Sequence, residues 1–93
     1  METKTPDYGK LLILTRAIQP ERGDWSVETA NSFLTMRVAP VDCDRMHALA
    51  RLAQAGKLSP VEEIEIENYR QVTGVLTLLH AKALVSLAAA KPG

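Results

Sequence analysis

Aromatic side chains make up only 4% of this sequence, against 46% for hydrophobic residues as a whole. Its core therefore has to be built from Leu, Val, Ile, Met and Ala, a palette that packs well between helices. A β-sandwich would want more aromatic and Thr content. Cysteine is nearly missing too: Cys43 stands alone, which excludes an intramolecular disulfide. Net charge is absent, since eleven basic and eleven acidic residues cancel and the pI is about 6.7. The strong positive field behind non-specific nucleic-acid binding is thus not available. No apolar run is longer than Leu11 to Leu14, far short of the roughly 20 residues of a membrane span. Nor does the N-terminus join a basic start to an apolar run and a small-residue cleavage site. The expectation is a cytosolic chain without a transmembrane helix. At 93 residues it is small enough that folding buries a modest share of its surface, and oligomerisation is a common remedy.

What is present reads as an all-α fold. Residues 1–9 mix charges with Thr, Pro and Gly without an apolar period, so a disordered arm is expected there, followed by a single helical domain over 10–93. Residues 10–19 form either a short helix or a buried strand; Leu11, Leu12, Leu14 and Ala17 tip the reading toward helix, ended by Pro20. Ser26 is a candidate N-cap for a helix over 27–36, with Val27, Ala30, Phe33 and Leu34 at helical spacing. Residues 37–41, interrupted by Pro40, read as a linker. Asp42 is expected to cap a third helix over 43–55, with Val41 and Met46 spaced as a hydrophobic staple and Gly56 as a left-handed stop.

The strongest local signal is Ser59-Pro60-Val61-Glu62, which combines an N-cap serine, proline at the first helical position and the glutamate of a capping box. It opens a long helix over 60–90 that makes a helical hairpin with the one before it. Glu62, Glu63, Glu65 and Glu67 crowd its first turns, where the helix dipole alone accounts for them. From Val72 onward little of the circumference is polar, and Gly74 interrupts it at a cost of about 1 kcal/mol unless another backbone packs closely. The shorter arm spans roughly 20 Å and the longer about 46 Å at 1.5 Å per residue, so the long arm overhangs. The residues 11–18, the 27–36 helix, a second copy of the chain or another protein must cover it.

Chemistry is harder to find. Cys43 and His47 lie four apart and His80 could add a third ligand, but two ligands do not make a site, and no CxxC, HExxH or ExxH pair occurs. His80 reads as a core-edge histidine held by a backbone or acidic partner. Ser26, Ser32, Ser59 and Ser86 have no activating neighbour, and no phosphate-binding glycine loop is present. An enzyme, a metal site and a cofactor are not expected. A helix-turn-helix-like DNA-binding transcriptional regulator is the alternative, since a short helix, a turn and a second helix fit its plan; yet that second helix opens Pro-Val-Glu-Glu-Ile-Glu, which repels phosphates.

From Asp24 onward, about three quarters of the chain, the sequence resembles a family of small uncharacterised bacterial helical proteins. The likeness rests on Trp25-Ser-Val-Glu-Thr-Ala, Asp44-Arg-Met-His-Ala-Leu-Ala50, Ala55-Gly-Lys-Leu-Ser-Pro60, Glu65-Ile-Glu-Asn-Tyr-Arg70 and Leu79-His-Ala-Lys-Ala-Leu-Val-Ser-Leu87. Genes of that family often stand beside HNH-type nucleases, so the resemblance implies a partner, regulator or neutralising protein of a nuclease. This chain departs from the family's basic, leucine-rich end at Ala83-Leu84-Val85, which weakens a basic contact and strengthens an apolar one. The sequence as a whole is expected to give a protein-interaction module, a homodimer through its last helix. Leu76, Leu79, His80, Ala83, Leu84 and Leu87 are the expected apolar contact, and Glu62, Glu63 and Glu65 the expected dock for a basic surface.

Overall fold

A computed structural model describes residues 9–90. Among these there are four helices and no strand: α1 (Gly9–Ile18), α2 (Val27–Leu34), α3 (Pro40–Gln54) and α4 (Pro60–Ala90). The fold is all-α. The arm expected over 1–9 lies outside the described residues except for Gly9, which opens α1. The chain gathers into two compact units, one from residues up to Met36 and from Gly74 onward, the other from Arg37–Thr73. Helix α4 contributes to both.

In the 37–73 unit, α3 and the first part of α4 form the expected hairpin, with Leu49 fully buried. Helix α3 starts earlier than the sequence suggested. Pro40 is its first helical residue and Ala39 its N-cap, with no side-chain cap; the N–H groups of Asp42 and Cys43 both donate to Ala39 O. Asp42 is therefore not the cap. The rule that places proline at a helix's first position, where its missing N–H costs nothing, applies to Pro40 as it does to Pro60. Helix α3 closes in a Schellman motif: Lys57 N–H donates to Leu52 O at 2.9 Å and Gly56 N–H to Ala53 O at 3.1 Å. Gly56 has φ +68°, the left-handed value that a Cβ penalises. At the start of α4 the capping box is complete, with Ser59 N–H donating to Glu62 Oε1 at 2.9 Å and Glu62 N–H to Ser59 Oγ at 3.2 Å.

In the other unit, α1 and α2 pack with the 74–90 part of α4, so the first 10-residue segment is a helix and not a strand. Helix α2 is capped by Ser26, whose Oγ accepts from Thr29 N–H at 3.1 Å. It ends at Leu34, two residues before the expected Met36, because Thr35 and Met36 switch to i→i−3 bonds on Ser32 and Phe33. Two close approaches set the packing on α4. A Cβ on Gly74 would meet Leu11 Cδ1 at 3.1 Å, and one on Gly23 would lie 2.8 Å from Val85 O. Gly74 thus offsets its helix cost by admitting a neighbour, here a side chain and not a backbone. The buried residues of this unit are Ala30, Lys82, Ala83 and Ser86.

Candidate functional site

The chemistry of the 74–90 stretch is organised by one lysine. Lys82 is 5% exposed, and an ammonium is tolerated at that depth only if its donors are used. They are: Nζ donates to Ile18 O at 2.7 Å and more weakly to Gln19 O at 3.4 Å, and pairs with Asp24 Oδ1 at 2.8 Å. The two carbonyls end α1, the negative end of that helix's dipole. Gln19 itself takes φ +53°, an unusual value for a residue with a Cβ, so the lysine pins a strained helix stop just before Pro20. The Lys82 ammonium also holds the Asp24 carboxyl below its ordinary value.

Around this ion pair the chain's single Trp and single Phe meet. Trp25 and Phe33 stack with ring centroids 4.4 Å apart, and Lys82 Nζ sits 5.4 Å from the Trp25 ring, within cation–π range. Trp25 N–H donates to Ser86 Oγ at 3.2 Å. His80 is held as the sequence suggested: Nε2 lies 2.9 Å from Met36 O, and because a carbonyl can only accept, that nitrogen carries the proton.

In the 37–73 unit the polar chemistry joins α3 to α4. Arg45 grips Glu65 with two parallel bonds, Nε to Oε2 at 2.7 Å and Nη2 to Oε1 at 2.8 Å, and its Nη2 stands 3.7 Å from Glu62 Oε2. This fork geometry suits a guanidinium better than an ammonium. It lowers the Glu65 pKa and raises that of Arg45. Glu62 is lowered first by the Ser59 backbone N–H of the capping box. Tyr69 O–H donates to Asp42 Oδ1 at 2.7 Å, and that bond to a carboxylate raises the phenol's pKa above its ordinary 10.0.

These contacts rearrange the expected binding surfaces. Ala83 is 0% exposed and faces its own unit, so it presents nothing to a partner. Leu76, Leu79, His80 and Leu87 are half-buried, whereas Leu84 is 58% exposed. Of the acidic trio, Glu62 and Glu65 are engaged with Arg45 and the helix cap, and Glu63 is exposed. The structure instead exposes apolar residues at the other end of α4: Val61 by 73%, Ile64 by 59% and Val72 by 53%. The 61, 64, 72 spacing carries this signal in the sequence, beside the denser apolar stretch further on. Lys82 was also legible, as the one formal cation between Val72 and Ala90.

Cys43 and His47 are exposed on α3, and no cluster of three metal-ligating side chains occurs among the described residues. Helix α4 is long and apolar enough by length and composition to cross a membrane, with 17% of its most apolar stretch buried. Thr77, His80, Lys82 and Ser86 break its apolar runs without making the stretch polar, so no long uninterrupted run marks it in the sequence. Within this stretch His80 and Lys82 bond to backbone carbonyls of their own unit. No protein-family model matches the chain, and no match was found among curated proteins or solved structures.

Proposed function

We propose that this chain is a small protein-interaction module that self-associates through α4 and acts by binding another protein in the cytosol. The observation that carries this reading is the state of α4, along which Val61, Ile64, Val72, Leu84 and Val85 are all exposed large apolar side chains. Contiguous apolar surface of that kind marks interaction sites in soluble proteins. The small chain length points the same way, since association supplies burial that a short chain lacks. A nuclease is the partner class implied by the family resemblance, and regulation or neutralisation of it is the corresponding task.

Two measurements test the reading. Light scattering on the eluting chain should give a mass above that of the 10.2 kDa protomer; a protomer mass with no uptake of a hydrophobic dye would sink self-association. Mixing the chain with a purified HNH-type nuclease should shift the nuclease's elution and change its rate of DNA cleavage, and an unchanged rate with no shift would remove the nuclease. Retarded migration of duplex DNA by the chain alone at physiological salt would put a DNA-binding regulator in its place.

A further inference from the structure

Among the four described helices, α1 alone has no buried residue. Its half-buried residues, Leu11, Leu14, Thr15 and Ile18, share one face at 3.6 residues per turn, and the rest of the helix is exposed. An element with so little burial opens locally at small cost. It lies along a stripe of α4 made by Gly74, Leu78 and Lys82, four residues apart. Leu11 fills the notch at Gly74, where a Cβ would meet it at 3.1 Å, and Lys82 Nζ donates to Ile18 O at 2.7 Å. The hydroxyl of Thr15 bonds to Leu11 O inside α1 and adds no tether. We propose that α1 is a releasable strap over this stripe, latched by Lys82, and that its release uncovers α4 for association. The proposal rests on the self-association reading above and supplies its regulation.

Three observations fit a latch better than a fixed core contact. The first is how Lys82 is compensated. Its ion-pair partner Asp24, at 2.8 Å, and the Trp25 ring, at 5.4 Å, both belong to the turn after α1. When α1 lifts, the ammonium gives up the carbonyl bonds but keeps these two partners, so no buried charge is stranded. The second is strain at the joint. Gln19, the residue after α1, holds φ +53°, and such strain persists only while the surroundings impose it; release relaxes it. The third is what release uncovers. Leu11, Leu14 and Ile18 join Leu12 and Ile13, which are already 58% and 59% exposed, and the Gly74 notch becomes free for a side chain of a second copy. The open form is thus the more adhesive one.

Hydrogen exchange of the full chain, read by mass spectrometry for each helix, tests the strap. Amides of α1 should exchange ahead of those of α2 and of the 74–90 part of α4. Lys82→Met should speed α1 at least about fivefold, the effect of a lost hydrogen bond to a charged group, and leave α3 unchanged. Exchange of α1 in one step with the rest of its unit would overturn the strap, and equal acceleration of α1, α2 and α4 by Lys82→Met would overturn the latch. Gly74→Leu separates release from general weakening. Its side chain fills the notch in place of Leu11 while improving helix propensity in α4, so α1 should exchange faster and α4 no faster. Sedimentation equilibrium then reads the consequence: both variants should associate at lower concentration than the wild type. Faster α1 exchange without that gain would overturn the regulatory role and leave self-association standing, whereas monomers in all three chains would overturn self-association itself.

Discussion

Lys82 joins three things that the sequence lists far apart: the end of α1, the Asp24 turn and the Trp25–Phe33 stack. Its removal should therefore cost more than that of any exposed cation. Lys82→Met keeps most of the stem's apolar packing but deletes the donor to the Ile18 carbonyl, and should lower stability by roughly 1–3 kcal/mol. Exposed Lys57→Met should change it by less than about 0.5 kcal/mol. Denaturant unfolding of the two variants side by side checks this; equal midpoints would show that the buried ammonium contributes nothing net. At Tyr69 the bond to Asp42 gives a spectroscopic prediction. The phenol should ionise above its ordinary 10.0, and Asp42→Asn should bring it back toward that value in an absorbance titration.

At the scale of elements, the sequence was most legible where a single residue type has one physical use. Ser59, Pro60 and Glu62 could be read as a capping box because their chemistry is local and repeats in any context. Gly56 could be read as a stop for the same reason. Pro40 carried the same message as Pro60 but was masked by Asp42, a stronger N-cap residue two positions later, whose carboxylate in fact accepts from Tyr69. That choice depends on a partner 27 residues away, which no local rule supplies. Which side chains of α4 stay exposed was less legible for a related reason. Apolar density marked its second half, but α1 and α2 take up part of that surface, and which part depends on the approach of Leu11 to Gly74 and of Gly23 to Val85. Two substitutions test the local devices. Ser59→Ala should cost about 1 kcal/mol through the lost cap, and Gly56→Ala about 1–2 kcal/mol because φ +68° is unfavourable with a Cβ. Thermal unfolding reads both, and a Gly56→Ala chain as stable as the wild type would mean that the Schellman turn is not kept.

For the molecule as a whole, acid should be the weak side. Asp24, Glu62 and Glu65 all have pKa values depressed in the folded chain from ordinary values of 3.8, 4.5 and 4.5. Their contribution is present above those values and lost as pH falls through the folded ones, because there the unfolded chain binds more protons. Stability should thus be level from neutral pH down to about 5 and fall below 4.5, with Asp24→Asn flattening the lowest part of that limb. A decline that began at about pH 6.5 would contradict this assignment to the carboxylates.

The central claim is that α4 leaves apolar surface for a second copy. Sedimentation equilibrium of the unmodified chain, over a wide concentration range at neutral pH, tests it most directly. The account predicts an average mass that climbs reversibly from 10.2 kDa toward twice that value as concentration rises. A mass that stays at 10.2 kDa at every concentration would contradict it.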